Sequence, residues 1–494
     1  MMRIQPSREQ FLALSKISSR VPVAMQRPVP GLDPAELYQA LFGGARNAFI
    51  FESGKGPDAT ARYTFMGVSN RTHVEIKNHE GFLFDAQTGE KKTLSAESCL
   101  EAIDFDDQVR EVDYLDHFWG GWVGYMGYDA CGLFERLPPT KVNDLSLPDA
   151  HFMQIDRLIV YDHQQSVLKT ISSQLINYNP NTYDNFLDEL HEWWITLENA
   201  LLNPGKRLEP NTRQDEIRCN QTRAQYMERV EKAKTYIREG DIYQANLAQR
   251  FEADYPGDPF ELYRLLKKVN PSPFSGFLQL TDWALVSSSP ERLVKVKEHL
   301  IESRPIAGTR PRGQDRDSDR SLSRELLLSP KERAEHLMLV DLLRNDLGRL
   351  SEVGSVRVTE LMFLENYSHV QHIVSNIEGR LKSGIGVRDI LQAVFPGGTI
   401  TGCPKIRCME IIHELEPLPR GPYSGSLGYI GFSRRMDLNI MIRTLVVKNG
   451  IGYFHTGAGI VADSSPAREY DETLDKAQAM MEALSYGAQS GKTR

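Results

Sequence analysis

Residues 457–477 read GAGIVADSSPAREYDETLDKA, and residues 331–349 read KERAEHLMLVDLLRNDLGR. Each stretch has a helical pattern with two glutamates three residues apart, Glu469 and Glu472 in the first and Glu332 and Glu335 in the second. Residues with this spacing share a helix face. If the fold brought the two faces together, four carboxylates without a His or Cys cluster would suit Mg²⁺. A single pair of this kind is more often a solvated helix face, so the surrounding sequence has to decide.

The composition is typical of a soluble globular protein. The chain has 494 residues, 40% hydrophobic and 25% charged, which is more than one ordinary domain needs. A net charge of −8 without a long basic run argues against nucleic acid as a partner. The five cysteines form no CxxC pair, as expected in a reducing compartment. With no membrane-length apolar run and no signal-peptide core at the N-terminus, we expect a cytoplasmic protein without a membrane partner.

The pattern along the chain predicts two lobes and a linker. Residues 1–201 alternate strand-like segments, such as NAFIFES at 47–53, with helical ones, such as 183–200. Residues 202–221 are polar, contain proline and lack periodicity, which predicts a linker. Residues 222–486 predict a second domain of strands and long helices, beginning with a helix that ends at Gly240. Residues 487–494 are expected to form a tail.

The most specific features are segments that follow one another through the second half. They are GDIYQANLAQRF (240–251), SSSPERL (287–293), RPIAGTRPRG (304–313), KERAEHLMLVDLLRNDLGR (331–349), HVQHIVSNIEG (369–379), FPGGTITGCPKIRCMEIIHELEP (395–417), YSGSLGYIGF (423–432), MDLNIMIRT (436–444) and GAGIVADSSPAREYDETLDKA (457–477). In this order they resemble the chorismate-utilising enzymes, which include anthranilate, aminodeoxychorismate, isochorismate and salicylate synthases. The first half resembles the family's first lobe more weakly, through FIFESGKG and GGWVGYMGYD.

The resemblance implies an α+β fold. Two orthogonal antiparallel β-sheets would pack as a sandwich with helices outside, and both halves of the chain would contribute to one core. The active site would lie in the cleft between the sheets.

It also implies a metal and a set of substrate ligands. Chorismate is a dicarboxylate, and Mg²⁺ held by Glu335 and Glu472 would take the ring carboxylate, with Glu332 and Glu469 holding metal-bound waters. Arg443 would clamp the enolpyruvyl carboxylate. The remaining substrate-binding residues implied by the resemblance are Thr399, Tyr423, Ser426, Gly457, Gly459 and Lys476. The glycines of 457-GAG-459 and 425-GSLG-428 would let backbone N–H groups approach the substrate.

Catalysis requires an acid, because the leaving group is a ring hydroxide. The resemblance assigns this role to Glu291 and places His372 beside the substrate. Family members that add water have a lysine at position 244 as the base, whereas this chain has Gln244, which cannot take up a proton at any useful pH. Ammonia needs no such base, so we expect an ammonia-using enzyme.

Two ammonia-using reactions remain, and the sequence signals are mixed. In some aminodeoxychorismate synthases a lysine adds to the ring at the position of Ala307, and alanine is usual in anthranilate synthases. Against this, four segments of this chain look more like those of aminodeoxychorismate synthases: QANLAQRF, FPGGTITG, GSLGY and PSPFSGF. Anthranilate synthases tend to read QVVPSQRF, AGTLSG, GAVGY and PSPYMFY at the same positions. We expect amination of chorismate to 4-amino-4-deoxychorismate for p-aminobenzoate and folate biosynthesis. The alternative is conversion of chorismate to anthranilate and pyruvate for tryptophan biosynthesis.

The resemblance also bears on partners. The sequence contains no GxCxGxQ-like glutaminase nucleophile, so we expect ammonia to come from a separate glutamine amidotransferase subunit in a heterodimer. Anthranilate synthases bind tryptophan in the first lobe through a segment like Glu52-Ser53. Here Phe274-Ser275 replaces the expected Tyr-Met of the second tryptophan-binding segment, which makes feedback inhibition doubtful but leaves tryptophan possible as a fixed ligand.

Overall fold

The computed structural model describes residues 2–53, 62–138, 141–176, 181–202, 216–313, 315–366 and 370–489. The strands are β1 (Arg3–Gln5), β2 (Val23–Pro28), β3 (Ala48–Glu52), β4 (Tyr63–Val68), β5 (Thr72–Lys77), β6 (Glu80–Asp85), β7 (Lys91–Ser95), β8 (Gly121–Met126), β9 (Ala150–Ile155), β10 (Arg157–Asp162), β11 (Val167–Ser172), β12 (Arg218–Cys219), β13 (Gln244–Asp254), β14 (Phe274–Gln279), β15 (Trp283–Ser289), β16 (Arg292–Lys297), β17 (Leu300–Arg304), β18 (Ile306–Pro311), β19 (Arg357–Asn366), β20 (Val370–Arg380), β21 (Gly402–Cys403), β22 (Ser426–Gly431), β23 (Arg435–Asn439), β24 (Thr444–Lys448) and β25 (Ile451–Ile460).

The helices are α1 (Arg8–Leu14), α2 (Pro34–Phe42), α3 (Ala96–Ala102), α4 (Thr182–Leu202), α5 (Arg223–Glu239), α6 (Pro259–Val269), α7 (Arg316–Leu328), α8 (Pro330–Leu350), α9 (Val387–Val394), α10 (Lys405–Leu415) and α11 (Pro466–Gln489), with short 3₁₀ helices at Tyr128–Leu133 and Gly398–Ile400. No helix in the described ranges combines the length and apolar character that a membrane crossing requires.

The strands form two large antiparallel sheets. One has 13 strands in the order β1-β2-β11-β10-β4-β3-β14-β15-β24-β25-β13-β12, with β21 beside β13. The other has 12 strands in the order β18-β20-β17-β16-β23-β22-β8-β9-β5-β6-β7, with β19 beside β20. Strands from both halves of the chain are neighbours in each sheet, as in the pairs β3–β14 and β8–β22. The expected α+β fold with two antiparallel sheets and one interwoven core is therefore confirmed.

Local sequence explains where the elements begin and end. The helix expected from about Thr222 to Gly240 is α5: the Thr222 side chain caps its N-terminus by accepting from the Gln225 N–H, and Gly240 ends it with a φ of 86°. The strands expected at 47–53 and 245–251 and the helix expected at 183–200 are also present. The proposed linker at 202–221 falls largely outside the described residues, so the two-domain boundary stays a prediction.

The two sheets enclose one apolar layer, and helices cover their outer faces. The layer between the sheets includes Phe49 and Leu285 from the first sheet and Val123, Tyr125 and Met153 from the second. Helices α2, α4, α6 and α11 pack on the first sheet, and α3, α9 and α10 belong to a second outer core. This arrangement holds α8 and α11 against the strands that carry the predicted site residues.

Candidate active site

Several of the predicted site residues lie beside a glycine-containing stretch of β25. A Cβ atom on Gly457 would lie 2.5 Å from Asn246 Oδ1 and 2.8 Å from the Tyr423 hydroxyl oxygen. A Cβ atom on Gly459 would lie 2.7 Å from Gln244 Nε2. Both positions require glycine because protein side chains occupy the space above the strand.

The glycines of the 425–428 segment have a different role. A Cβ atom on Gly425 would lie 2.2 Å from the Met126 carbonyl oxygen, and one on Gly428 would lie 2.1 Å from the Asp437 carbonyl oxygen. These glycines therefore permit close approach of neighbouring backbone. From the sequence, we expected these glycines to let backbone N–H groups approach the substrate, but the structure explains Gly425 and Gly428 by strand packing instead.

The Glu291 carboxyl lies in the turn between β15 and β16 and is almost fully buried. Burial raises the pKa of this carboxyl to about 7, although the Thr399 hydroxyl and the Lys476 ammonium group both lower it. A large fraction of Glu291 is therefore protonated at neutral pH. The side chain can donate a proton to a leaving group in that pH range.

Lys476 connects α11 to the glycine stretch. Its Nζ donates a hydrogen bond of 3.0 Å to the Gly457 carbonyl oxygen. It also forms a 2.7 Å ion pair with Glu472, one helical turn earlier, and both side chains are about half exposed. These contacts place the Glu472 carboxylate near the Gly457 end of the stretch.

The second glutamate pair, on α8, approaches the other end. Glu335 Oε1 lies 3.5 Å from Gln244 Nε2, the atom that covers Gly459. Glu332 is 3.4 Å from the Arg310 guanidinium. Glu335 is therefore the member of this pair that contacts the glycine stretch through Gln244.

Among the described residues, the four acids do not form one group of direct metal ligands. In the part of the chain that the structure describes, no three His, Cys, Asp or Glu side chains form a group that could hold a metal ion. Glu332 faces a cation and Glu469 is buried, whereas Glu335 and Glu472 flank the glycine stretch. The spacing correctly placed each pair on one helix, but the packing of the two helices sets the distance between the pairs.

Arg443 and His372 come from different sheets and lie close together. Arg443, just before β24, has a φ of 50° and donates a 2.8 Å hydrogen bond to Asn270 Oδ1, and burial lowers the pKa of its guanidinium. Burial and the Arg443 charge together lower the pKa of His372 to about 4, against the opposing effect of the Gly308 backbone. His372 is therefore neutral at pH 7, and Arg443 carries the positive charge that an anionic group would need.

Three further predicted residues have positions set by the backbone. Ala307 is buried on β18 opposite Ile373, next to His372 on the paired strand. Thr399 lies in the second 3₁₀ helix. The Ser426 hydroxyl donates a 2.6 Å hydrogen bond to the Asn439 carbonyl oxygen, so it already has a protein partner.

Two residues that the sequence did not single out complete this region. Arg420 is fully buried, pairs with Glu416 at 2.6 Å, and donates to the backbone carbonyl oxygens of Asn246 (2.7 Å) and Ile400 (2.9 Å). No local pattern marks such an arginine. Asn246 had a signal that could have been used, since it follows Gln244 by two residues on a strand and therefore shares its face.

A separate cavity of about 360 Å³ lies between the sheets. Its lining includes Glu52-Ser53 and Phe274-Ser275, the segments that the sequence connected with tryptophan. The Glu52 carboxylate is buried and accepts hydrogen bonds from Tyr263 (2.7 Å) and Lys267 (2.5 Å). An amino-acid ligand would have to share this carboxylate with Lys267, and tryptophan binding stays a prediction.

Comparison with known proteins gives the family of the chain. The family model described as chorismate binding enzyme matches residues 46–482. The chain is 44% identical to aminodeoxychorismate synthase component 1 of Bacillus subtilis, over 97% of this chain and 100% of that protein. It is 37% identical to anthranilate synthase component 1 of Acetivibrio thermocellus, over 97% and 98%. The crystal structure of anthranilate synthase component I from Streptococcus pneumoniae superposes with a TM-score of 0.76 at 34% identity, covering 85% of this chain and 92% of that one.

Proposed function

This chain belongs to the family of chorismate-binding enzymes, and we propose that it aminates chorismate with ammonia to give 4-amino-4-deoxychorismate. The observation that carries the proposal is the buried Glu291 carboxyl, whose pKa is raised to about 7 next to Thr399 and Lys476. Loss of a hydroxide from the chorismate ring needs a proton at neutral pH, and this group is suited to supply it.

The reaction would begin with ammonia attacking the ring carbon beside the carboxylate. The 4-hydroxyl group would leave as water after taking the proton of Glu291. Arg443 would hold the enolpyruvyl carboxylate, since His372 beside it is neutral and leaves that charge available. A second ammonia would then attack the 4-position while the nitrogen beside the carboxylate leaves as ammonia, which gives 4-amino-4-deoxychorismate before the enolpyruvyl group is eliminated. A separate lyase would release p-aminobenzoate.

Gln244 supports ammonia over water as the nucleophile. Its amide lies at the glycine stretch, 3.5 Å from Glu335, and an amide cannot deprotonate water. Ammonia is nucleophilic as the free base and needs no such help. We therefore propose that this position excludes the addition of water.

We propose Mg²⁺ as the cofactor, held by Glu335 and Glu472. Mg²⁺ is commonly bound by one or two carboxylates together with substrate groups, so a three-residue protein cluster is not needed. The two carboxylates come from different helices and flank the stretch from Gly457 to Gly459, which fits such a site. When bound, the ion would supply positive charge for the ring carboxylate of chorismate, with Glu332 and Glu469 proposed to act through metal-bound waters.

The choice between the two ammonia-using reactions rests on sequence. The 44% identity to an aminodeoxychorismate synthase over the whole chain, against 37% to an anthranilate synthase, supports 4-amination. The buried Ala307, which cannot form a covalent adduct, is the observation that favours anthranilate formation as the second candidate. Both relatives are named component 1, which supports a glutamine amidotransferase subunit as the source of ammonia.

One assay separates the candidates. Purified protein is incubated with chorismate, Mg²⁺ and ammonium chloride, and fluorescence and pyruvate are followed before and after addition of aminodeoxychorismate lyase. We expect chorismate to be consumed without either signal, and pyruvate to appear only once the lyase is present. Anthranilate fluorescence together with pyruvate from this protein alone would establish the second candidate. A parallel reaction with EDTA tests the requirement for Mg²⁺.

A further inference from the structure

Two buried amide oxygens lie on one face of strand β13. Gln244 and Asn246 are 5% and 7% exposed. Among the described residues, neither Gln244 Oε1 nor Asn246 Oδ1 has a hydrogen-bond partner. A buried acceptor without a partner destabilises the folded protein, so such a pair beside a catalytic site indicates a ligand that donates hydrogen bonds.

The surroundings of Gln244 fix the direction of its amide. Its Nε2 faces the Glu335 carboxylate at 3.5 Å and covers Gly459. Nitrogen is the atom that a carboxylate attracts, so the oxygen is the free end of this amide. The unpartnered Oε1 therefore remains an acceptor for a ligand.

The backbone of Asn246 is fixed on both sides. Its N–H donates to the Thr401 carbonyl oxygen at 2.8 Å, and its carbonyl oxygen accepts from Arg420 at 2.7 Å. Its side chain then lies beside Gly457 and the Tyr423 hydroxyl, where only glycine leaves room. Residues two apart on a strand are separated by about 6.5–7 Å, and two N–H···O bonds of about 2.9 Å span most of that distance.

We propose that the side-chain amides of Gln244 and Asn246 form the ammonia subsite, and that Asn246 positions the incoming nitrogen; this rests on the proposed function. Ammonia has three N–H donors and one lone pair, so it can donate to both amide oxygens and still direct the lone pair at the substrate. A carboxylate in this place would favour ammonium, which has no lone pair to attack with. Neutral amide oxygens bind the nucleophilic form.

The step balances. The nitrogen lone pair forms the new C–N bond, the C–O bond to the 4-hydroxyl breaks, and the departing oxygen takes the proton of Glu291 to leave as water. The attached nitrogen is then positively charged and releases one proton, which restores the Glu291 carboxyl directly or through solvent. Ammonia and chorismate give the amino product and water, without an oxidant or reductant.

The effect of losing Asn246 should be partial. The anthranilate-type segment QVVPSQRF has valine at this position and would keep only the glutamine amide. Asn246→Val should therefore remove about one hydrogen bond to ammonia, which should raise the KM for ammonia roughly tenfold. The KM for chorismate should stay within about twofold, because the groups proposed to hold its carboxylates are unchanged.

The test measures KM for ammonium chloride and for chorismate separately, following chorismate consumption whatever the product. The variants are Asn246→Val and Asn246→Ala, each first checked by thermal melting. Asn376→Ala serves as the control, because Asn376 is equally buried, also has an unpartnered Oδ1, and bonds to Thr359 and Glu378 away from the glycine stretch.

We expect the KM for ammonia to rise only in the two Asn246 variants, with kcat at saturating ammonium within about threefold. An unchanged KM for ammonia in folded Asn246 variants would overturn the inference. A rise in KM for chorismate with no change for ammonia would instead assign Asn246 to the substrate. The product of the wild-type protein tests the proposed function independently, since both candidate reactions consume ammonia.

Discussion

Glu291 is surrounded by protein that favours its neutral form, and replacing it by the isosteric amide in Glu291→Gln should separate stability from activity. The pKa of this carboxyl moves from an ordinary 4.5 to about 7 in the folded protein. A difference of about 2.5 in pKa corresponds to about 3 kcal/mol at 1.36 kcal/mol per unit. Because the folded-state pKa is raised, the stability that the protonated group contributes is fully present below pH 4.5 and is lost as the pH rises through 7.

The wild-type protein therefore carries this cost at pH 8 and not at pH 4.5, whereas a glutamine carries no charge at either pH. The free energy of unfolding of Glu291→Gln minus that of wild type should therefore increase by about 3 kcal/mol from pH 4.5 to pH 8. With an unfolding entropy of about 1 kcal/mol/K for a chain of this length, the melting temperature should shift by about 3 °C. Turnover should fall at least about a hundredfold, because the amide cannot donate the proton.

The assay compares thermal melting of the two proteins at pH 5 and pH 8, with Glu482→Gln as the control for an exposed glutamate. In wild type, kcat at a constant concentration of free ammonia should decline above about pH 7 as Glu291 loses its proton. A melting-temperature difference between Glu291→Gln and wild type that does not depend on pH would refute the assignment of a raised pKa. Full activity of Glu291→Gln would refute its role as the acid.

Three further outcomes are expected. Glu335→Gln and Glu472→Gln should each raise the Mg²⁺ concentration needed for half-maximal turnover at least about tenfold. Asp475→Asn, an exposed position on the same helix as Glu472, is the control. An unchanged Mg²⁺ titration in both variants would show that these acids are solvated helix faces. Gln244→Lys should produce isochorismate from chorismate without ammonium, and its absence from a folded variant would mean that the surrounding pocket selects the nucleophile. Tryptophan should not inhibit the wild-type protein, because Glu52 is already hydrogen-bonded by protein side chains; inhibition at micromolar tryptophan, measured by initial rates, would contradict this.

The sequence by itself determined the elements and the family. Strand and helix patterns depend on spacings of two, three and four residues, so α5 with its Thr222 cap and its Gly240 end could be predicted from adjacent residues. The order of the glycine-rich and acidic segments carried the resemblance, and the chemical nature of Gln244 excluded a base at that position. These conclusions need no contact between distant parts of the chain.

The tertiary structure alone decided how these residues meet. The raised pKa of Glu291 comes from burial, which outweighs the opposing effects of Thr399 and Lys476, more than 100 residues away. The position of one glutamate pair relative to the other follows from how α8 and α11 pack, and a helical repeat cannot specify that. Asn246 stands out only when Arg420, 174 residues further along, fixes its backbone and Gly457 leaves space beside its side chain. Spacing along the chain sets which residues share a face, but the environment of a side chain depends on contacts that only folding creates.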